Sequence, residues 1–126
     1  MISTWSPGAL SVLRLIAALL FMEHGLIKLF DFPAPGPDPL PTLLLAAGLI
    51  EVGGGLLLAL GLFTRPAAFL CSGMTAAAYF IAHAPQGFWP SQNGGEAAIL
   101  YCFLFLYLVF AGPGAWSLDA LRRKTG

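Results

Sequence analysis

Charge is what this chain has least of. Only 10% of its 126 residues are charged, six of each sign, and the formal net charge is zero. A soluble domain carries about 25%. Charge this sparse and balanced gives no basis for nucleic-acid binding. Thiols are nearly absent too: Cys71 and Cys102 are the two cysteines, and no Cys-x-x-Cys exists. The dithiol of thiol oxidoreductases such as vitamin K epoxide reductase is therefore missing. By helical rise the two thiols differ in depth by about 10 Å, whereas bridged Cα atoms lie about 4.4–6.8 Å apart. Both are expected as packing residues. There is no Walker loop, dinucleotide fingerprint, serine elbow or zinc finger. Low-complexity tracts, sustained heptads and short repeats are also missing. Residues 1–10 contain no Lys or Arg, and Arg14 interrupts the apolar run behind them. The first apolar stretch therefore reads as a permanent span rather than a cleaved signal.

What is present is hydrocarbon. Hydrophobic residues make up 58% of the chain, and the mean hydropathy is +0.82. A soluble protein this small cannot hide so much apolar surface, so lipid is the expected solvent. Four apolar stretches, residues 9–30, 40–63, 66–84 and 94–111, approach the span length of about 20 residues. Pro33, Pro35, Pro37, Pro39 and Pro41 make the first loop stiff and non-helical. Thr64-Arg65-Pro66 is a tight turn. Residues 85–95 form a second longer loop, and Gly112-Pro113-Gly114 ends the fourth stretch. Residues 115–124 read as a short interfacial helix. Arg65 lies between the second and third stretches, and Arg122, Arg123 and Lys124 lie at the C-terminal end, so the positive-inside rule places both termini in the cytoplasm. Trp5, Trp89 and Trp116 fall near the expected interfaces. The expectation is a single all-α domain, a membrane-embedded antiparallel four-helix bundle, multi-pass in a bacterial inner (plasma) membrane.

Glu51 stands alone within residues 43–62. A carboxylate at a membrane centre costs about 2.5–3.5 kcal/mol on insertion scales, so it should face a partner or a cavity. It shares a helix side with Ala47, Gly48, Gly54 and Gly55, small residues that let helices approach closely. In the first stretch Arg14, Phe21, Gly25 and Lys28 share an arc, with His24 beside it and Glu23 at its edge. Leu15, Leu19, Met22, Leu26 and Leu29 occupy the opposite, lipid-facing side. Inward sides are expected from Phe69, Ser72, Ala76, Tyr79, Phe80 and His83 in the third stretch, and from Glu96, Leu100, Phe103, Tyr107 and Phe110 in the fourth.

Helical rise puts Glu23, His24 and Glu51 near mid-depth and Lys28, His83 and Glu96 nearer the outer surface. The ionisable groups thus form a polar seam. Side chains lean toward a helix N-terminus, so Arg14 and Glu51 should diverge. Tyr107 or Asp119 is the expected partner of Arg14, and His24, Lys28 or Tyr79 the expected donor to Glu51. A cavity lined by Glu51, His24, Phe21, Tyr79, Phe80, His83, Glu96, Phe103 and Tyr107 would suit an amphipathic small molecule. A His or Tyr could donate to a quinone carbonyl, and a carboxylate could pass a proton. The same residues could equally form a structural hydrogen-bond network and an aromatic core. No two of the His and Glu residues share one helix at i, i+3 or i+4, so no metal site is expected.

Several motifs resemble the DoxX family of small bacterial four-span membrane proteins. They are Arg14, His24-Gly25-Leu26-Ile27-Lys28, Glu51-Val52-Gly53-Gly54-Gly55, Thr64-Arg65-Pro66-Ala67-Ala68, and Gly112-Pro113-Gly114-Ala115-Trp116-Ser117-Leu118-Asp119. His83 with Asn93-Gly94-Gly95-Glu96 is similar to a common variant of that pattern. The resemblance implies an inner-membrane four-span fold and, through subunits associated with a quinol oxidase and thiosulfate oxidation, a redox or quinone association.

Two functional classes follow. The first is a non-catalytic subunit or binding module of a redox or stress-related membrane system, holding a quinone-like or lipophilic ligand. The second is a small transporter or proton-linked channel using the Glu51 seam. No catalytic motif is present, so an oxidoreductase-associated role is the most that enzyme chemistry would claim. Expected partners are membrane lipid, redox proteins or a second copy of the chain. A polar path continuing to the cytoplasm would favour transport. Residues 56–62 offer no polar group between Glu51 and Arg65, which favours binding.

Overall fold

The computed structural model describes residues 1–125, with side chains through Arg123; Lys124, counted above in the basic cluster, has its side chain outside that set. Among the described residues all regular structure is helical. Helix α1 spans Ser6–Phe30, with Pro7 in its first turn and Lys28 in its last. Pro suits that first turn because its missing N–H would have no partner there anyway. Helix α2 spans Thr42–Leu60 and stops at Gly61, whose φ of 66° favours glycine. Helix α3 spans Thr64–Ala78. It continues as a π-helical segment over Tyr79–His83 and a 3-10 turn over Ala84–Gln86. Helix α4 spans Glu96–Ala111 and helix α5 spans Leu118–Thr125.

Three helices are long and apolar enough to cross a membrane: Ile2–Phe30, Thr42–Leu60 and Thr64–Gln86. The fourth apolar helix, Glu96–Ala111, has 16 residues and is shorter. Large apolar side chains lie exposed along all four, including Leu19, Leu49, Phe69 and Phe103. Such a surface needs hydrocarbon around it.

Helices α1 and α2 pack closely through small residues. A Cβ on Gly25 would stand 2.8 Å from the Glu51 Cβ and the Gly48 carbonyl oxygen. Met22 meets Gly55, and Leu29 meets Gly48. The register therefore runs in opposite senses, and the pair is antiparallel. Met22 and Leu29, expected to face lipid, instead fill the hollows left by those glycines. Helices α3 and α4 form a second antiparallel pair: Arg65 bonds to Val109 and Phe110, Ser72 to Cys102, and the Tyr79 ring abuts Gly95. The α2–α3 contact joins the pairs, with the Cys71 sulfur against Gly54. The backbones of α1 and α4 stand further apart and meet mainly through aromatic side chains.

The inward face of α4 differs from the expected one. Phe105 and Leu108 are buried, while Leu100, Phe103, Tyr107 and Phe110 lie exposed. In α3 the buried residues are Thr64, Ala67, Ala68, Cys71, Ser72 and Thr75; Phe69 and Phe80 are exposed. Both sides of these helices are apolar, so periodicity alone cannot choose between them. Small residues mark the packed side.

The segment after α4 latches onto the rest. Arg14 is 3% exposed, and its guanidinium donates to the carbonyl oxygens of Pro113 and Trp116. Ser11 Oγ donates to the Pro113 carbonyl at 3.3 Å and accepts the Trp116 N–H at 2.9 Å. Ser117 Oγ accepts the Ala120 N–H at 3.0 Å and so caps α5. Among the described residues Arg14 makes no hydrogen bond to Tyr107 or Asp119, the expected partners; its Nη atoms go to backbone carbonyls of the latch, and its buried Nε has no partner. Asp119 acts elsewhere. Its carboxylate accepts the N–H groups of Phe63 and Thr64, each at 2.9 Å. Those amides open α3, where no side chain of the turn itself caps the helix. Phe63 there takes a left-handed φ of 49°, a conformation uncommon for a bulky residue. The Arg122 guanidinium sits 4.7 Å from the Phe63 ring centroid.

Candidate functional site

A cavity of about 300 Å³ lies at the opposite end of the helices from the latch. Helix α1 supplies Phe21, His24 and Lys28; α2 supplies Ala47 and Glu51. Met74, Thr75, Ala78, Ala82 and His83 come from α3 and its continuation, and Gly94, Ala97, Ala98 and Tyr101 from the start of α4.

Glu51 is 4% exposed. It lies nine residues into α2, about 14 Å along the axis by helical rise. Its Oε1 accepts a hydrogen bond and ion pair from Lys28 Nζ at 2.7 Å. Opposite charges this close satisfy each other where water is scarce. Lys28 is thus the donor among the three expected. Arg14 and Glu51 do not bond; they lie at opposite ends of a hydrocarbon layer. Ala17, Ala18, Phe21, Leu58, Cys71, Phe105 and Leu108 form that layer.

The aromatic wall is built from Phe21, Tyr101 and Phe105. Tyr101 stacks on Phe105 at 5.6 Å between centroids and tilts against Phe21 at 5.6 Å. His24 meets the Tyr101 ring edge-on at 6.2 Å. Among the described residues neither the Tyr101 hydroxyl, nor the His24 ring, nor Glu51 Oε2 has a hydrogen-bond partner in the protein. His83 Nδ1 lies 3.2 Å from the Asn93 carbonyl. Asn93, 3% exposed, holds the loop around it. Its amide donates to Tyr79 Oη at 3.1 Å and to the Gly87 carbonyl at 2.9 Å, and its Oδ1 accepts the Gly95 N–H at 2.8 Å.

Of the sequence candidates, the cavity gathers His24, Lys28, Glu51 and His83 together with Phe21. It leaves out Glu23, Tyr79, Phe80, Glu96, Phe103 and Tyr107. Glu23 and Glu96 are exposed. Tyr79 is turned toward Asn93 and Gly95, where it supports the loop. Tyr107 lies at the latch end beside Arg65 and Pro113. Tyr101 and Thr75 were missed. Ala97-Ala98 gave the available signal, since small residues one turn before Tyr101 place it on the packed side. Among the described residues no three His, Cys, Asp or Glu side chains converge as a metal site would require. Cys71 and Cys102 are free thiols, the first buried against Gly54 and the second beside Ser72.

The DoxX family model matches residues 9–84, more than half of the chain. An uncharacterized protein of Haemophilus influenzae is 48% identical, with 91% of each chain covered. The inner membrane protein YphA of Escherichia coli is 30% identical over 90% of this chain and 89% of its own. An uncharacterized membrane protein of Mycobacterium tuberculosis is 28% identical over 94% of this chain and 83% of its own. No solved structure matches. With its apolar helices and these relatives, the chain is a multi-pass protein of the bacterial inner membrane and belongs to the DoxX family.

Proposed function

We propose that this protein is a non-catalytic binding module, or a small subunit of a redox or stress-related membrane system, that holds a quinone-like or similarly amphipathic molecule in the Glu51 cavity. The four apolar helices act as four antiparallel spans of one domain. Both termini face the cytoplasm, as the positions of Arg65, Arg122 and Arg123 favour, and the cavity then faces outward.

One observation carries this. Polar groups with unspent hydrogen-bonding capacity converge on a cavity whose floor is hydrocarbon. Tyr101, His24 and Lys28 offer donors suited to a carbonyl or hydroxyl head group. Glu51 Oε2 offers an acceptor. Phe21 and Tyr101 offer flat faces for a ring. Glu23, Tyr79, Glu96 and Tyr107 stand around this set without lining it.

A transporter or proton-linked channel is the second reading, and the buried Lys28–Glu51 pair favours it, since intramembrane ion pairs often mark ion pathways. The layer of Leu58, Phe105 and Leu108 below the pair weighs against it. Redox proteins, lipid and a second copy of the chain are the partners this role would involve.

The experiment is extraction of the protein in native lipid particles, followed by organic extraction and mass spectrometry of what co-purifies. Unaltered protein should retain a quinone-class or similar amphiphile, and Glu51→Gln should lose it while remaining folded. Equal retention by both would refute the Glu51 site. Uptake of protons or solute by vesicles containing the unaltered protein, abolished in Glu51→Gln, would support the transport reading instead.

A further inference from the structure

A second cavity, of about 290 Å³, lies between α1 and α4. Its walls are Leu13, Ile16, Ala17 and Leu20 from α1 and Ala97, Leu100, Tyr101 and Leu104 from α4. Apart from Tyr101 these are all hydrocarbon. The α1 residues follow the i, i+3, i+4, i+7 pattern of one helix face. Two more turns along the same face stand His24 and Lys28, which line the polar cavity. Ala97 and Tyr101 line both cavities. The two are therefore neighbours across a wall one aromatic ring thick. This is also where the backbones stand further apart: α1 and α4 meet through the rings of Phe21, His24, Tyr101 and Phe105, while α1–α2 and α3–α4 pack backbone to backbone along their lengths.

We infer that the α1–α4 groove receives the hydrocarbon tail of the molecule whose polar head occupies the Glu51 cavity, and that Tyr101 is the post around which the two halves bend. This rests on the function proposed above and narrows its ligand class. The ligand is a single-tailed amphiphile with a compact polar or quinonoid head, admitted sideways from the bilayer. A water-soluble solute would have no use for the groove. A polar head alone would leave it to lipid chains. The groove contributes no driving force over lipid, since both are hydrocarbon. It contributes selection, because a tail must leave the cavity somewhere, and on this side the wall is thin. From Leu13 to Leu20 the groove runs about 10 Å by helical rise.

The test uses two probes on the full chain in lipid nanodiscs: a benzoquinone carrying a ten-carbon tail with a terminal diazirine, and tail-free benzoquinone. Leu100 is 69% exposed, so Leu100→Trp can fill the groove without disturbing the buried core. It should weaken the tailed probe by at least about tenfold and leave the tail-free probe unchanged. Glu51→Gln should weaken both. On illumination the tailed probe should label residues 13–20 and 100–104, and a second labelled variant, Leu49→Trp on the outer face of α2, should change nothing. If Leu100→Trp leaves the tailed probe intact, or labelling falls outside those segments, the groove is not the tail site, although the head cavity stands. If neither probe binds the unaltered protein, the cavity function fails and the groove inference fails with it.

Discussion

Lys28 Nζ reaches Glu51 Oε1 at 2.7 Å across the α1–α2 interface, one turn beyond the place where Gly25 leaves room for no side chain. The close approach of the two backbones is what brings a lysine and a glutamate into contact near the end of α1. Removing one partner of a buried pair costs about 3–5 kcal/mol. Lys28→Met leaves the buried Glu51 carboxylate without its donor and should cost that much. Lys28 itself keeps partial exposure, so losing Glu51 instead should cost less. Glu51→Ala, which leaves Lys28 without its acceptor, should cost about 1–3 kcal/mol. Glu51→Gln keeps an acceptor for Lys28 and should unfold within a few degrees of the unaltered protein. Thermal unfolding in detergent checks the order. A Glu51→Gln protein as unstable as Glu51→Ala would mean that the charge itself holds the helices.

Gly25 is a second test of the same interface. A methyl group there would stand 2.8 Å from Glu51 Cβ, the Gly48 carbonyl oxygen and Val52 Cγ2. Two of these belong to the α2 backbone or lie close to it and cannot swing away. Overpacking costs about 1–3 kcal/mol. Gly25→Ala should lower the thermal midpoint, whereas Gly53→Ala, with nothing within 4 Å, should not. Equal effects would show that the α1–α2 spacing is looser than described.

Tyr101→Phe separates the ring from the hydroxyl. The stack on Phe105 and the contact with Phe21 remain. Because the hydroxyl bonds to nothing in the protein, stability should not change. A hydrogen bond to a bound head group contributes about 0.5–1.5 kcal/mol, so probe affinity should fall by about two- to twelvefold. Unchanged affinity would remove Tyr101 from the list of ligand donors.

Asp119 gives a pH dependence with a definite sign. Burial pushes its carboxyl up, but the Thr64 and Phe63 N–H groups and the Arg122 charge outweigh that and hold it below the ordinary 3.8. A carboxyl lowered in the folded state stabilises it fully above the unfolded value, and the contribution fades as pH falls through the folded one. The thermal midpoint of the unaltered protein should therefore drop on acidification below about pH 4. Asp119→Ala, which removes both acceptor oxygens, should lose this component and be less stable at neutral pH by about 0.5–2 kcal/mol, as for other lost helix caps. Identical acid profiles would place the loss in other carboxylates.

Orientation can be read by labelling in a background with Cys71 and Cys102 replaced. Ser91→Cys should react with an impermeant maleimide on intact cells, and Trp116→Cys only after permeabilisation. The reverse pattern would invert the topology.

What was legible in the sequence was whatever one polar or small residue could mark. Arg14, Gly25 and Lys28 labelled the inner side of α1, and Gly48, Gly54 and Gly55 labelled that of α2, because neither kind of residue belongs against lipid. Leu100, Phe103 and Phe110 could not be told from Phe105 and Leu108, because lipid and protein interior accept the same side chains. Tyr107 was drawn inward with them. The latch was harder still. Arg14 and Arg65 bond to backbone carbonyls, which no residue name reveals. Asp119 was hidden for a different reason. Thr64 in the turn is itself a capping residue type, and only the structure shows its hydroxyl without a hydrogen-bond partner among the described residues and the cap supplied from a distance.

That distant cap has a consequence for biosynthesis. The third helix begins at Thr64, but the carboxylate that closes its first turn belongs to residue 119. Until residues 113–119 have been synthesised, the amides of Phe63 and Thr64 must find other acceptors, and Arg14 and Ser11 await the same segment. These bonds thus tie the start of α1 and the start of α3 to the same later segment, and a chain truncated before Gly112 should insert its helices yet fail to fasten them.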